Sequence, residues 1–190
     1  MHALIINGSP RRDGSTGRLC KHFARGLIDL AGTASIVCLR DMQIEYCGGC
    51  DACLDTGECV IDDGMLGLVS QILTCDILVL ASPSYWGYVT AQMKTFIDRS
   101  RPLCEHVSRE RAGNCKRGIS IAVRAGSGVS ENLCLVRCFE HYFGHLGIKP
   151  AGQLTIENVS APQDLTEGHA QRAYELGRMI GSQQINGEKV

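Results

Sequence analysis

A chain of 190 residues, 44% of them apolar, is long enough for one sizeable core and short for two, so a single domain spanning residues 1–190 is expected. Nineteen Lys and Arg against twenty Asp and Glu give a formal charge of −1, which excludes a general attraction to nucleic acid or to an anionic membrane surface. The opening MHALIINGSP has no basic segment ahead of its short apolar run, and no apolar stretch approaches membrane-spanning length, so a cytoplasmic protein is expected. Eleven cysteines, an odd number without an export signal, then read as reduced thiols and metal ligands rather than disulfides.

In chain order, Ala3 to Ile6 is an apolar run closed by Asn7, Gly8, Ser9 and Pro10, the pattern of a strand buried on both faces and a sharp turn. A helix from Ser15 to about Leu30 follows, with Leu19, Phe23, Leu27 and Leu30 at helical spacing and Gly32 at its stop. Ser35 to Leu39 reads as a second strand. Residues 43–59 then form a segment without periodicity, rich in Cys, Gly and Asp, of the length that usually serves a function. Asp62 and Asp63 precede a helix marked by Met65, Leu68, Val69 and Ile72 and are suited to cap it. Ile77 to Ala81 is a third strand, followed by a helix with Met93, Phe96 and Ile97. Gly118 to Val123 is a fourth strand, followed by a helix with Leu133, Val136, Tyr142, Phe143 and Leu146. A weaker fifth strand lies around Leu154 to Ile156, and Ala173, Leu176 and Ile180 mark a last helix. Strands alternating with helices imply an α/β fold with a parallel sheet covered on both faces.

Such sheets bind ligands beyond the carboxyl ends of their strands. The first turn, Gly8 to Gly17, supplies glycines that let amides approach an anion, hydroxyls, Arg11, and a helix amino end. It lacks the Lys of a P-loop and the G-x-G-x-x-G spacing of a dinucleotide site, so a monophosphate fits it better than a pyrophosphate. The bland alternative is that Ser15 or Thr16 only caps the helix. After the third strand, Ser82-Pro83-Ser84-Tyr85-Trp86-Gly87-Tyr88 puts three aromatic rings at the mouth of the sheet, fit to flank a flat ring or to join an interface. Arg124-Ala125-Gly126-Ser127-Gly128 offers small residues at the third turn.

Cys47, Cys50, Cys53 and Cys59 stand as C-x2-C-x2-C-x5-C, four thiols within thirteen residues. Successive x2 spacings suit an iron–sulfur cubane; zinc and a redox-active dithiol are the other readings. The other seven cysteines, including Cys20, Cys38, Cys75, Cys115, Cys134 and Cys138, read as packing residues. The six histidines form no metal motif, and Lys94, Asp98 and Arg99 read as a solvated or cross-linked helix face.

The loop from Gly8 to Thr16, with Pro83-x-Tyr85-Trp86-Gly87 and Lys94-x-Phe96-x-Asp98-Arg99, resembles the NADPH-dependent FMN reductase branch of the flavodoxin-like superfamily. The resemblance runs from Ala3 to about Ile156. It implies a doubly wound five-stranded parallel sheet of order 2-1-3-4-5, with the Cys-rich loop after the second strand. It also implies FMN bound by Ser9, Arg11, Ser15, Thr16, Pro83, Ser84, Tyr85, Trp86, Gly87, Ala125 and Gly126. The cysteine motif resembles that of the iron–sulfur flavoproteins, which implies a [4Fe-4S] cluster on Cys47, Cys50, Cys53 and Cys59. The function so implied is electron transfer among cluster, FMN and an external carrier such as a ferredoxin, with a small-molecule acceptor, no catalytic acid or base, and assembly as a homodimer or homotetramer. The alternatives are an NAD(P)H-dependent flavin or quinone reductase without a functional cluster, and a zinc-stabilised interaction protein.

Overall fold

A computed structural model describes residues 1–104 and 117–185; Cys115 lies outside the described residues. Five strands, β1 (His2–Asn7), β2 (Thr33–Cys38), β3 (Ile77–Pro83), β4 (Arg117–Val123) and β5 (Lys149–Ile156), form one sheet in the order β2-β1-β3-β4-β5. Every pairing is parallel. The helices α1 (Ser15–Ile28), α2 (Ala52–Thr56), α3 (Gly64–Thr74), α4 (Ala91–Arg99) and α5 (Val129–His145) lie in the connections between strands, and α6 (Glu167–Ile185) follows β5. This is the flavodoxin-like arrangement that the resemblance implies. The structure lengthens the fifth strand to Lys149–Ile156 and adds α2 within the cysteine segment. That helix has five residues, too short to leave a periodic trace in the sequence.

Period-two alternation in a strand buried on both sides sends its residues into two cores. Leu4 and Ile6 of β1 pack with Met65, Leu68, Met93, Phe96, Phe139 and Phe143 of α3, α4 and α5. Ala3 and Ile5 pack with Leu19, Phe23 and Leu27 of α1 and with Ala173 and Ile180 of α6. The α1–α6 contact depends on two glycines. A Cβ on Gly26 would lie 2.0 Å from the Tyr174 carbonyl oxygen, and one on Gly177 would lie 2.1 Å from that of Phe23. Backbone meets backbone here, and neither helix can yield without parting from the other.

The register sets the strand ends side by side. Asn7 pairs with Ala81 and Pro83 with Val123, so the turns after β1, β3 and β4 leave the same end of the sheet. From β1 the chain crosses to β2 on one side and afterwards to β3 on the other, which makes the β1/β3 boundary a topological switch point where connections diverge.

Gly177→Ala is expected to destabilise the fold by about 1–3 kcal/mol, the range for overpacked sites. Urea denaturation followed by circular dichroism checks this, and an unchanged midpoint would contradict the tight crossing.

Candidate functional site

The first loop is held open from beneath. Asn7 is buried; its Oδ1 accepts the Ser9 amide at 3.0 Å, and its Nδ2 faces the Cys38 sulfur at 3.7 Å. The buried Ser9 hydroxyl accepts the Arg11 amide at 3.2 Å. Gly8 donates to the Ala81 carbonyl at 2.8 Å, and its own carbonyl accepts the Thr90 hydroxyl at 2.6 Å. A Cβ on Gly8 would meet Met93 Cβ at 2.9 Å, so only glycine lets the loop lie this close to α4.

The amino end of α1 has Gly14 as its N-cap, with no side-chain cap and no acidic residue in the first turn. Ser15 and Thr16 are the first two helical residues, so neither caps the helix. The orphan amides of that turn are answered by no side chain, and together with the helix dipole they make a seat for an anion. Thr16 is buried and Ser15 half-buried. Arg11 is exposed and donates from Nη1 to the Ser160 carbonyl at 2.8 Å, bridging this loop to the segment after β5.

Beyond β3 the chain makes a two-residue hairpin. Tyr85 and Tyr88 exchange amide bonds at 2.9 and 3.1 Å, while Trp86 and Gly87 hold φ values of 56° and 77°. Gly87 tolerates this conformation; Trp86 does not take it readily, and its ring is fully exposed. Tyr85 and Tyr88 are also exposed, so three rings stand clear of the core at the mouth of the sheet.

The second and third loops are tied together by groups the sequence reading did not single out. The Ser84 hydroxyl donates to Glu131, whose other carboxylate oxygen lies 2.8 Å from Arg124 Nη2. Arg124 Nη1 donates to the Gly128 carbonyl at 2.7 Å, folding the side chain under the exposed Ala125 and Gly126. A Cβ on Gly126 would sit 2.7 Å from Arg124 Nη2, so the guanidinium lies close against this glycine. Pro83 closes β3 beside Val123.

The cysteine segment is pinned at its neck. The Gly64 amide donates to the Gln43 carbonyl at 3.1 Å, and the Glu45 amide donates to Asp63 Oδ2 at 2.8 Å. Asp63 also caps α3 through the Met65 amide at 2.9 Å, as the sequence suggests. The surprise is Arg99. Lys94 and Asp98 do form an exposed i,i+4 pair at 2.6 Å, but Arg99 turns inward, is 1% exposed, and forks onto Asp63 at 2.8 and 3.0 Å. Helical spacing alone assigned it to the outer face; the acidic partner 36 residues away is a tertiary fact.

Cys47 and Cys50 are exposed, and Cys53 and Cys59 half-buried. Among the described residues no three or more Cys, His, Asp or Glu side chains converge closely enough to hold a metal ion. The thiols nonetheless feel one another: burial raises Cys53, Arg101 opposes that, and the charges of Cys59 and Cys47 add to it. Arg101 pairs with Asp51 at 2.7 Å, inside the same segment. Of the packing cysteines, Cys20 and Cys75 are buried, and burial with the neighbouring Cys38 pushes the Cys20 thiol up to about 12, which makes it inert. Cys134 is a correction: it is exposed on α5, while Cys138 on the same helix packs against the core.

A sequence profile of the NADPH-dependent FMN reductase family matches residues 1–156. The chain belongs to that family and is a flavin-dependent oxidoreductase. An iron-sulfur flavoprotein of Archaeoglobus fulgidus is 34% identical over 182 residues, covering 95% of this chain and 79% of the relative. An iron-sulfur flavoprotein of Methanocaldococcus jannaschii is also 34% identical, over 54% of this chain and about half (53%) of its own length. Among solved structures, the NAD(P)H:quinone oxidoreductase from Methanothermobacter marburgensis superposes with a TM-score of 0.75 at 16% identity, covering 95% of this chain and 96% of that one, a likeness of fold.

The Asp63 carboxyl gives a pH test of the neck. Burial pushes it up, but the Arg99 bond, the Glu45 and Met65 amides and the guanidinium charge outweigh burial and hold it below the usual carboxylate range. A carboxyl lowered on folding contributes stability above its unfolded pKa and loses it as pH falls through the folded value. Asp63→Asn is therefore expected to cost most stability near neutrality, with the gap to wild type closing below about pH 4. Urea midpoints measured across pH check this, and a pH-independent gap would contradict it.

Proposed function

We propose that the chain moves electrons through FMN held by the three loops at the carboxyl end of the sheet, in exchange with a [4Fe-4S] cluster on Cys47, Cys50, Cys53 and Cys59 and with an external one-electron carrier such as a ferredoxin. The observation that carries the flavin half is the uncapped amino end of α1 beneath a glycine and serine loop at the β1/β3 boundary. When bound, FMN supplies both two-electron and one-electron chemistry, and a cluster supplies single-electron steps.

In this reading the first-turn amides of α1, the Ser9, Ser15 and Thr16 hydroxyls and the Arg11 guanidinium hold the phosphate. The loop from Pro83 through Ser84, Tyr85, Trp86 and Gly87 and the backbone of Ala125 and Gly126 flank the ring, with the Ser84–Glu131–Arg124 chain keeping the two loops in step. No side chain is called on as acid or base. For the cluster, four soft thiols on one segment suit iron. The names of the curated relatives agree with this donor set.

A second reading is an NAD(P)H-dependent reductase of a quinone or similar small acceptor, without a cluster. It is favoured by thiols that are not gathered at metal-binding distance. Either way, none of the described helices is long and apolar enough to cross a membrane, and the reading places the protein in the reducing cytoplasm. The exposed Trp86 and Tyr88 rings offer contact area for a homodimer or homotetramer, which sedimentation would measure.

Anoxic purification and reconstitution, with iron, sulfide, zinc and FMN measured per chain, separates the readings. The cluster reading expects iron and sulfide near four per chain beside one FMN; FMN without iron favours the second. Ser15→Asp tests the phosphate seat. A carboxylate at the amino end of α1 is expected to stabilise the flavin-free fold by about 0.3–1 kcal/mol. The same charge should repel the phosphate and weaken FMN binding at least about tenfold, which is about 1.4 kcal/mol. Unchanged affinity would rule out this helix end as the seat.

A further inference from the structure

Arg99 is the largest fully buried side chain among the described residues. A guanidinium withdrawn from water must have its charge and its five N–H donors answered. Four are answered. Nη1 donates to the Glu45 carbonyl at 2.7 Å and to Asp63 Oδ2 at 2.8 Å; Nη2 donates to the Ile61 carbonyl at 3.3 Å and to Asp63 Oδ1 at 3.0 Å. The fifth, Nε–H, is buried and has no hydrogen-bond partner among the oxygens and nitrogens around it. Glu45 precedes the four cysteines and Ile61 and Asp63 follow them, so a single side chain joins both legs of the loop. Ile61, whose carbonyl Nη2 holds, lies two residues after Cys59, so the guanidinium is fixed at the Cys59 end of the loop. The helix that carries Arg99 is capped by Thr90, whose hydroxyl donates to the Gly8 carbonyl of the first loop, so α4 links the two candidate sites.

We infer that Arg99 is a positioning residue for whatever the four thiols hold: it draws the two legs of the loop together and sets a buried positive charge at the Cys59 end of that neck, with Asp63 determining how much of that charge is felt. This rests on the reading that the thiols hold an iron–sulfur cluster. Reduction adds negative charge to such a group, so a neighbouring cation favours the reduced form and raises the potential, and charge and hydrogen bonds near the sulfurs are established means of tuning it. Removing the cation then lowers the potential. Removing the charge of its counter-ion raises it. Loosening the loop would instead move both variants the same way, because each would let water reach the cluster. Arg101 serves as a control, since its pairing with Asp51 is half-exposed and screened.

The test uses the full chain, anoxically reconstituted with iron and sulfide, and a redox titration followed by EPR. Arg99→Met is expected to shift the cluster potential down, Asp63→Asn to shift it up, Arg101→Met to shift it less than either, and Arg99→Lys to fall between wild type and Arg99→Met because it keeps the charge but not the fork. Asn retains capping ability, so Asp63→Asn is expected to fold even where Arg99→Met does not. Shifts of the same sign in Arg99→Met and Asp63→Asn, or none in either, overturn the electrostatic role. A second measurement needs no cluster: N-ethylmaleimide labelling of the metal-free chain, read site by site by mass spectrometry. Wild type is expected to label Cys59 severalfold more slowly than Cys47, and Arg99→Lys, which keeps the cation but not the fork, to close that gap; an unchanged gap in Arg99→Lys overturns the anchoring. Wild type that takes up no iron or sulfide defeats the cluster reading itself, while the labelling still decides whether Arg99 holds the neck.

Discussion

The structure depends on one constraint, that a parallel sheet must be covered on both faces by the helices that connect its strands. With β1 inside the sheet, its crossover to β2 and the later return to β3 depart to opposite sides, and the space between them cannot be filled by either connection. The buried faces of β1 and β3 make this rigid: Ala3 to Ile6 and Ile77 to Ala81 are fully buried, so the strand ends that present Gly8 and Ser82 have no freedom to drift. Loops that hang from so well packed an edge are held in fixed relative positions.

Polar groups buried just under that edge complete the arrangement. Asn7, Ser82 and Thr90 are all almost wholly inaccessible, and each uses its side chain to hold loop backbone: Asn7 the Ser9 amide, Ser82 the Thr90 amide, Thr90 the Gly8 carbonyl. Buried polar atoms left unmatched are costly, so these contacts allow few arrangements of the first two loops. The amino end of α1, by contrast, is left without a side-chain cap. A fold that satisfies the polar groups around an anion seat and leaves the seat's own donors open is organised for a ligand.

The cysteine segment follows different physics. It contributes few residues to either core, and its order comes from charge: Asp63 and Arg99 at the neck, Asp51 and Arg101 nearer the tip. The two arginines stand two residues apart at the end of α4, one wholly buried and one half-exposed, so one helix terminus steadies a segment that apolar packing does not. This makes α4 the physical connection between the loop after β1 and the thiols.

What the sequence determined by itself was whatever depends on local pattern. Strand and helix alternation follows from periodicity in residues such as Leu4, Ile6, Leu19 and Phe23, and side-chain period dictates which elements are buried on both faces. The thiol spacing and the glycine and serine loop are also local, and both were legible. Tertiary structure alone decided what depends on partners distant in the chain. Nothing near Arg99 announces Asp63, nothing near Ser84 announces Glu131, and Cys134 and Cys138, one turn apart on the same face of α5, differ in burial although their spacing gives no sign of it. A charge reads as solvated until folding supplies a counter-ion and removes the water, and that desolvation belongs to the assembled molecule rather than to any stretch of its chain.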